Sequence, residues 1–332
     1  MRIAVDAMGG DHAPRCVIEG AALAISRGYI TPAELLLVGR VAELQPLVEA
    51  GGLQGVELLD AAEVIGMDES PAAAIRTKKQ SSIVVAMRAV VEKRAEAFVS
   101  AGNTGACVAA SSLVLGRLPG VARPGIAAPM PTRRGPSVVI DVGANIYCKP
   151  EHMLQYAIMA GEYVRAAFGK EKPLIGLLNI GEEEGKGNPL IQQVHALLQS
   201  AQLNYKGFVE GQDILAGACD VVVCEGFVGN VILKVAEGVA GFVFEQVATA
   251  FKEHPPQPEV GKAVRAAFER LDYSEYGGAP LLGVAAPVLI GHGRSGPPAV
   301  MNMLRAARAA VAQDVNSRIV ERLAVAARES SA

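Results

Sequence analysis

Seven short runs, at 3–5, 35–38, 97–99, 138–140, 174–178, 221–224 and 288–290, are apolar at successive positions rather than at alternate ones. A strand apolar on both faces must be covered on both. Between the runs lie helical patterns at about 16–28, 81–94, 104–115, 151–168, 189–200, 230–251 and 298–326. Buried strands alternating with helices specify a mostly parallel α/β sheet with helices on each side. With 332 residues and 51% hydrophobic content, one α/β domain spanning 1–332 has the material for its core.

Five of the runs lead into loops of one kind. Residues 6–14 read DAMGGDHAP, 100–105 SAGNTG, 141–145 DVGAN, 179–188 NIGEEEGKGN and 225–230 EGFVGN. Each sets glycine beside Asp, Asn or Thr after a buried strand, the place where open α/β sheets gather ligands. Glycine lets backbone N–H groups approach closely, and a following helix start favours negative charge. The five loops are expected at one edge of the sheet, with the segment 1–14 forming one wall of an anion site. Neither G-x-x-x-x-G-K-[ST] nor G-x-G-x-x-G after the first strand occurs, so a small anion such as inorganic phosphate fits better than a nucleotide.

An anion needs a cation, and Lys186, between Gly185 and Gly187 and before the helix start at Pro189, is the first candidate. His12 and His292 sit in glycine-rich loops as donors to an oxyanion or a leaving group, each balanced by the blander role of a loop histidine bonded to backbone. Glu182, Glu183 and Glu184 are consecutive and cannot all face one point, so no metal site is expected. No G-x-S-x-G marks a nucleophile, although Cys148 lies near a candidate loop. Five cysteines without a C-x-x-C pair fit a reducing, cytoplasmic setting. A formal charge of −3, from 31 basic and 34 acidic residues, gives no general attraction to nucleic acid.

The segment 231–251 is strongly apolar but interrupted by Lys234, Glu237 and Glu245, which suits a buried or interface helix better than a membrane span. With the prolines at 255, 256 and 258 and a second helix from about Glu259, it forms a helical hairpin over 230–275 with a polar tip. Leu233, Ala236, Ala240, Val243, Val247 and Ala250 make one stripe, facing either the parent sheet or a second copy.

The ordered motifs MRIAVDAMGGDHAP (1–14), VSAGNTGA (99–106), DVGAN (141–145), CKPEH (148–152), LNIGEEE (178–184), EGFVGN (225–230) and LDYSEYGGAPLLG (271–283) resemble one family, the bacterial phosphate acyltransferases (PlsX). That resemblance implies a Rossmann-like α/β/α fold related to the isocitrate/isopropylmalate dehydrogenases, a homodimer built through the hairpin, and no cofactor. It implies acyl phosphate synthesis from a fatty acyl-acyl carrier protein and inorganic phosphate, in phospholipid (phosphatidic acid) synthesis. A membrane glycerol-phosphate acyltransferase would follow, at the inner membrane face. On this reading Gly9, Gly10, Asp11, Asn103, Thr104, Gly105, Asn145 and Asn188 bind phosphate, while Lys186, His12, His292 and Asn230 act in catalysis. Arg76, Lys78, Lys79, Arg133, Arg134 and Arg294 would receive the acidic carrier.

The family usually has serine where Gly185 stands, and members that touch membranes carry apolar residues where 252–258 is polar here. Direct membrane contact is therefore disfavoured. The competing readings are a phosphotransacetylase-like enzyme using acyl-coenzyme A, a dehydrogenase of the isopropylmalate type, and a non-enzymatic phosphate or acyl-phosphate sensor.

Overall fold

A computed structural model describes residues 1–271 and 276–329. Their strands are β1 (Ile3–Asp6), β2 (Leu35–Gly39), β3 (Glu57–Asp60), β4 (Ala97–Ser100), β5 (Gly125–Met130), β6 (Ser137–Ile140), β7 (Ile175–Leu178), β8 (Tyr205–Val209), β9 (Val221–Val223), β10 (Ala279–Leu282) and β11 (Val288–Ile290). They form one sheet in the order β3-β2-β1-β4-β11-β10-β5-β6-β9-β7-β8. All seven runs recognised in the sequence are strands, and β1, β2, β4, β6 and β9 are buried along their whole length, as continuous apolar runs require.

The sheet is mostly parallel, and its exceptions decide the layout. Strand β10 runs antiparallel to both β11 and β5, and β5 runs antiparallel to β6. The block β3-β2-β1-β4-β11 and the block β6-β9-β7-β8 are each internally parallel and point in opposite directions. One face carries a continuous core that includes Leu36, Phe98, Ile126, Val139 and Val222. The other face is divided. Ile3, Val5, Leu37 and Val99 pack under the helices Arg15–Ser26 and Pro297–Ala312. Ile140, Leu177 and Val223 pack under Pro150–Phe168, Pro189–Ser200 and Val315–Glu329. The result is the expected α/β/α sandwich.

The helix expected over 298–326 is two, broken where Asp314 takes a left-handed φ of 49°. The hairpin is present as the helices Gly226–Glu253 and Pro258–Leu271, its arms joined by Phe244 and Phe268 edge to face at 5.1 Å. Residues 272–275, the end of the expected hairpin and part of the 271–283 motif, lie outside the described residues. Burial of the long helix is confined to Gly226 and Gly229. Leu233 and Ala236 do pack against the sheet core, whereas Val243 and Ala250 of the same stripe are exposed. The reading of this helix as buried therefore fails beyond its first turns, because no sheet lies beneath the rest. A second apolar row, Phe227, Val231, Val235, Val239 and Phe242, is exposed as well. Length and a mean hydropathy of 1.6 would also suit a bilayer-crossing helix, yet Lys234 and Glu237 form an ion pair within it.

Candidate active site

At the end of β1, Asp6 is buried and accepts from Ser100 Oγ (2.7 Å) and from the backbone N–H of Met8 (3.2 Å). Ser100, at the end of β4, accepts in turn from the N–H of Gly102 (3.0 Å). Burial raises the Asp6 carboxyl above its ordinary range, opposed by the hydroxyls of Ser82 and Ser100. Asp6 is thus a brace between two loops rather than a ligand. Gly9 is required by this closeness, since a Cβ there would stand 2.3 Å from Asp6 Oδ2. Gly10 has φ +108°, and the N–H of Asp11 donates to the carbonyl of Gly293 (2.7 Å), bringing in the loop after β11.

The same end of the strands holds His12, which is exposed, and His292, which is half-buried. His292 Nδ1 faces the N–H of Arg294 (3.1 Å), and its Nε2 lies 3.3 Å from Lys234 Nζ of the long helix. Lys234 also donates to Glu237 (2.8 Å). Burial first, then the Lys234 charge, lowers the His292 pKa below the usual histidine value. Asn103 accepts from the N–H of Ala106, capping the helix Thr104–Ala110, and its amide donates to the carbonyls of Gly66, Met67 and Glu69. Its side chain is fully engaged by protein. Thr104 is exposed beside it, and Gly105 packs against Pro71.

In the second block of strands, Asp141 accepts from the N–H groups of Ile126, Gly143, Ala144 and Asn145 and from the Asn145 amide. That amide also donates to Tyr156 Oη (2.8 Å) and to the Pro124 carbonyl. Burial raises the Asp141 carboxyl, against the pull of these donors. Glu225 caps the long helix by accepting from Val228, and Asn230 lies beside Gly143. In the loop after β7, Asn179 binds the carbonyls of Gly181 and Lys186, while Asn188 caps Pro189–Ser200 by accepting from Ile191. Lys186 is exposed and has no ion pair among the described residues.

The five loops fall into two groups, one on each side of β10 and β5. Gly9, Gly10, Asp11, His12, Asn103, Thr104, Gly105, His292 and Arg294 gather at the ends of β1, β4 and β11. Asn145, Lys186, Asn188 and Asn230 follow β6, β7 and β9, whose block runs the other way; yet the pairings of Ile290 with Ala279, Leu281 with Ile126 and Ala127 with Ile140 set the C-terminal ends of β11 and β6 nearly level across β10 and β5. The long helix connects the two groups, carrying Asn230 near its start and Lys234 about one turn later. Lys234 was read in the sequence only as an interruption of an apolar stretch. Its spacing one turn after Asn230 was the available signal.

Of the basic residues, Lys78 is half-buried, bound to Glu69 and the Val64 carbonyl, and so serves the 64–69 loop rather than a docking surface. Arg76, Lys79, Arg133, Arg134 and Arg294 are exposed. Burial pushes Cys107 up to about 12 and Cys219 to about 11, and it raises Cys16, Cys148 and Cys224 too. Such thiols are poor nucleophiles at neutral pH. No group of three His, Cys, Asp or Glu suited to a metal occurs among the described residues.

A family model described as "Fatty acid synthesis protein" matches residues 1–318. A phosphate acyltransferase of Desulfitobacterium hafniense is 48% identical over 317 residues, 94% of each chain. One of Heliobacterium modesticaldum is 46% identical over 331 residues, covering 97% of this chain and 98% of the other. Among solved structures, a phosphotransacetylase from Streptococcus pyogenes superposes with a TM-score of 0.62 at 16% identity, over 93% of this chain and 94% of that one. A 4-hydroxythreonine-4-phosphate dehydrogenase from Klebsiella pneumoniae gives 0.53 at 12% identity, over 92% and 96%. At such identities the structural likeness concerns the fold alone.

Proposed function

The chain belongs to the fatty acid synthesis protein family of phosphate acyltransferases, and from that premise we propose that its acyl donor is a fatty acyl-acyl carrier protein. It is an acyltransferase, and its substrates are phosphate and an acyl donor. In the proposed reaction a phosphate oxygen attacks the thioester carbonyl, the C–S bond breaks, and the carrier thiol and an acyl phosphate are released.

The observation that carries this reading is the polar, glycine-lined junction of the loops after β1, β4 and β11, beside which no thiol is activated. Phosphate is itself the nucleophile, so no covalent enzyme intermediate is needed. A thiol leaving group of pKa about 8.5 departs without strong acid assistance. Orientation then supplies most of the acceleration, on the order of 7–11 kcal/mol for well-placed reactants. Arg294 of the β11 loop and Arg133 and Arg134 of the β5–β6 turn are exposed basic side chains. We assign them as basic side chains that an acidic carrier would meet.

We further place the reaction in the cytoplasm, in phosphatidic acid synthesis, with the acyl phosphate passing to a membrane acyltransferase. A homodimer would cover the exposed row Phe227, Val231, Val235, Val239 and Phe242.

The deciding experiment follows acyl phosphate formed from phosphate and either acyl-carrier protein or acyl-coenzyme A. The carrier thioester should be the better substrate, and its KM should rise with salt. Equal turnover of the two donors would remove the carrier from the reading, and absence of acyl phosphate with either would remove the reaction.

A further inference from the structure

Each ring nitrogen of His292 faces a hydrogen-bond donor. The N–H of Arg294 meets Nδ1 at 3.1 Å, and the Lys234 ammonium stands 3.3 Å from Nε2. A neutral imidazole has one acceptor nitrogen and one N–H, so it cannot receive both. Protonating the ring would turn both nitrogens into donors. With Nδ1 accepting from Arg294, Nε2–H and the ammonium of Lys234 confront each other, and what is missing between them is an acceptor.

The loops after β1 and β4 contain no lysine or arginine in residues 6–14 or 100–105. The charged groups around His292 are Lys234 and Glu237 of the long helix, Arg294 of its own loop and Asp11 of the β1 loop. Glu237 takes one of the three N–H groups of Lys234 at 2.8 Å, and the Lys234 side chain is still 50% exposed. The ammonium can therefore serve a further acceptor from the solvent side.

We propose that Lys234 and Nε2–H of His292 form a two-donor grip on an oxygen of the inorganic phosphate substrate, with Lys234 as a cation of the site. The oxygen accepts from both at once, while Nδ1 keeps its bond from Arg294. This assignment rests on the acyltransferase reading only for the identity of the anion.

The test uses the full chain and inorganic phosphate, with equilibrium dialysis of labelled phosphate beside steady-state kinetics. A hydrogen bond to a charged group is worth roughly 1.5–3 kcal/mol, so Lys234→Met should weaken phosphate binding and raise its KM by about tenfold or more. The KM for the acyl donor should stay within about twofold, since uniform loss of substrate binding falls on phosphate alone. Lys234→Arg should recover most of the loss. Adding phosphate should raise the His292 pKa, followed by NMR, in the wild type and not in Lys234→Met. Phosphate affinity and KM unchanged in folded Lys234→Met, or an acyl-donor KM that rises equally, would overturn the proposal. If the wild type makes no acyl phosphate yet binds phosphate through Lys234, the grip stands and the reaction reading falls.

Discussion

The two groups of loops, after β1, β4 and β11 and after β6, β7 and β9, are finished differently from similar sequence. After β6, β7 and β9 the loops turn their polar groups on themselves: Asp141 collects four backbone N–H groups, Asn145 binds Tyr156, and Asn188 and Glu225 cap helices. After β1, β4 and β11 the bracing is left to Asp6, Ser100 and Asn103, while His12 is exposed and His292 faces a lysine from another element. Glycine beside Asp or Asn thus marks a tight loop in both places. What separates them is that Asp141 gathers four backbone N–H groups, whereas Asp6 is held by the Ser100 hydroxyl and the N–H of Met8.

Removing the acceptor that gathers those four N–H groups should give the largest effect. Asp141→Ala strands four backbone N–H groups, and we expect it to cost upward of about 4 kcal/mol in urea unfolding. A loss below about 1 kcal/mol would break the contrast, since it would mean those donors are served by water.

Next in size is the contest of the two lysines. The drop in kcat/KM for phosphate should be greater for Lys234→Met, about tenfold or more, than for Lys186→Ala. The reverse ranking would make Lys186 rather than Lys234 the main cation of the anion site.

A smaller effect concerns pH. The folded pKa of His292 lies below its ordinary value of 6.5, so unfolding takes up a proton as pH falls through that value, and folded stability declines there. His292→Gln should flatten that acid-side slope, as read from denaturation midpoints between about pH 5 and 7. An unchanged slope would mean that His292 is as solvated as in the unfolded chain. The least effect is expected at Cys148, whose raised pKa keeps it a thiol at neutral pH. Turnover of Cys148→Ala should remain within about twofold, whereas a large loss would restore a covalent intermediate.

Much of the fold was legible because its signals are local. The β-branched runs at β1, β2, β4, β6, β7, β9 and β11 reveal themselves within a few residues, and proline at Pro150 and Pro189 marks helix starts. Strands β3, β5, β8 and β10 escaped notice. β5 reads GIAAPM and β10 reads APLL, sequences of low strand propensity that pair because they are buried between neighbours. Gly207 interrupts β8, whose pairing with β7 is irregular near Ile175.

The site was legible as a set of residue types rather than as an arrangement. Alone, the sequence determined the family, the buried strands and the glycine-rich loops that follow them, since each is written in contiguous residues. Only the tertiary structure decided how the two groups of loops are set across β10 and β5 and which lysine meets His292. Strand direction depends on pairing between distant segments, and the two strands that reverse it, β5 and β10, carry no signal of their own direction.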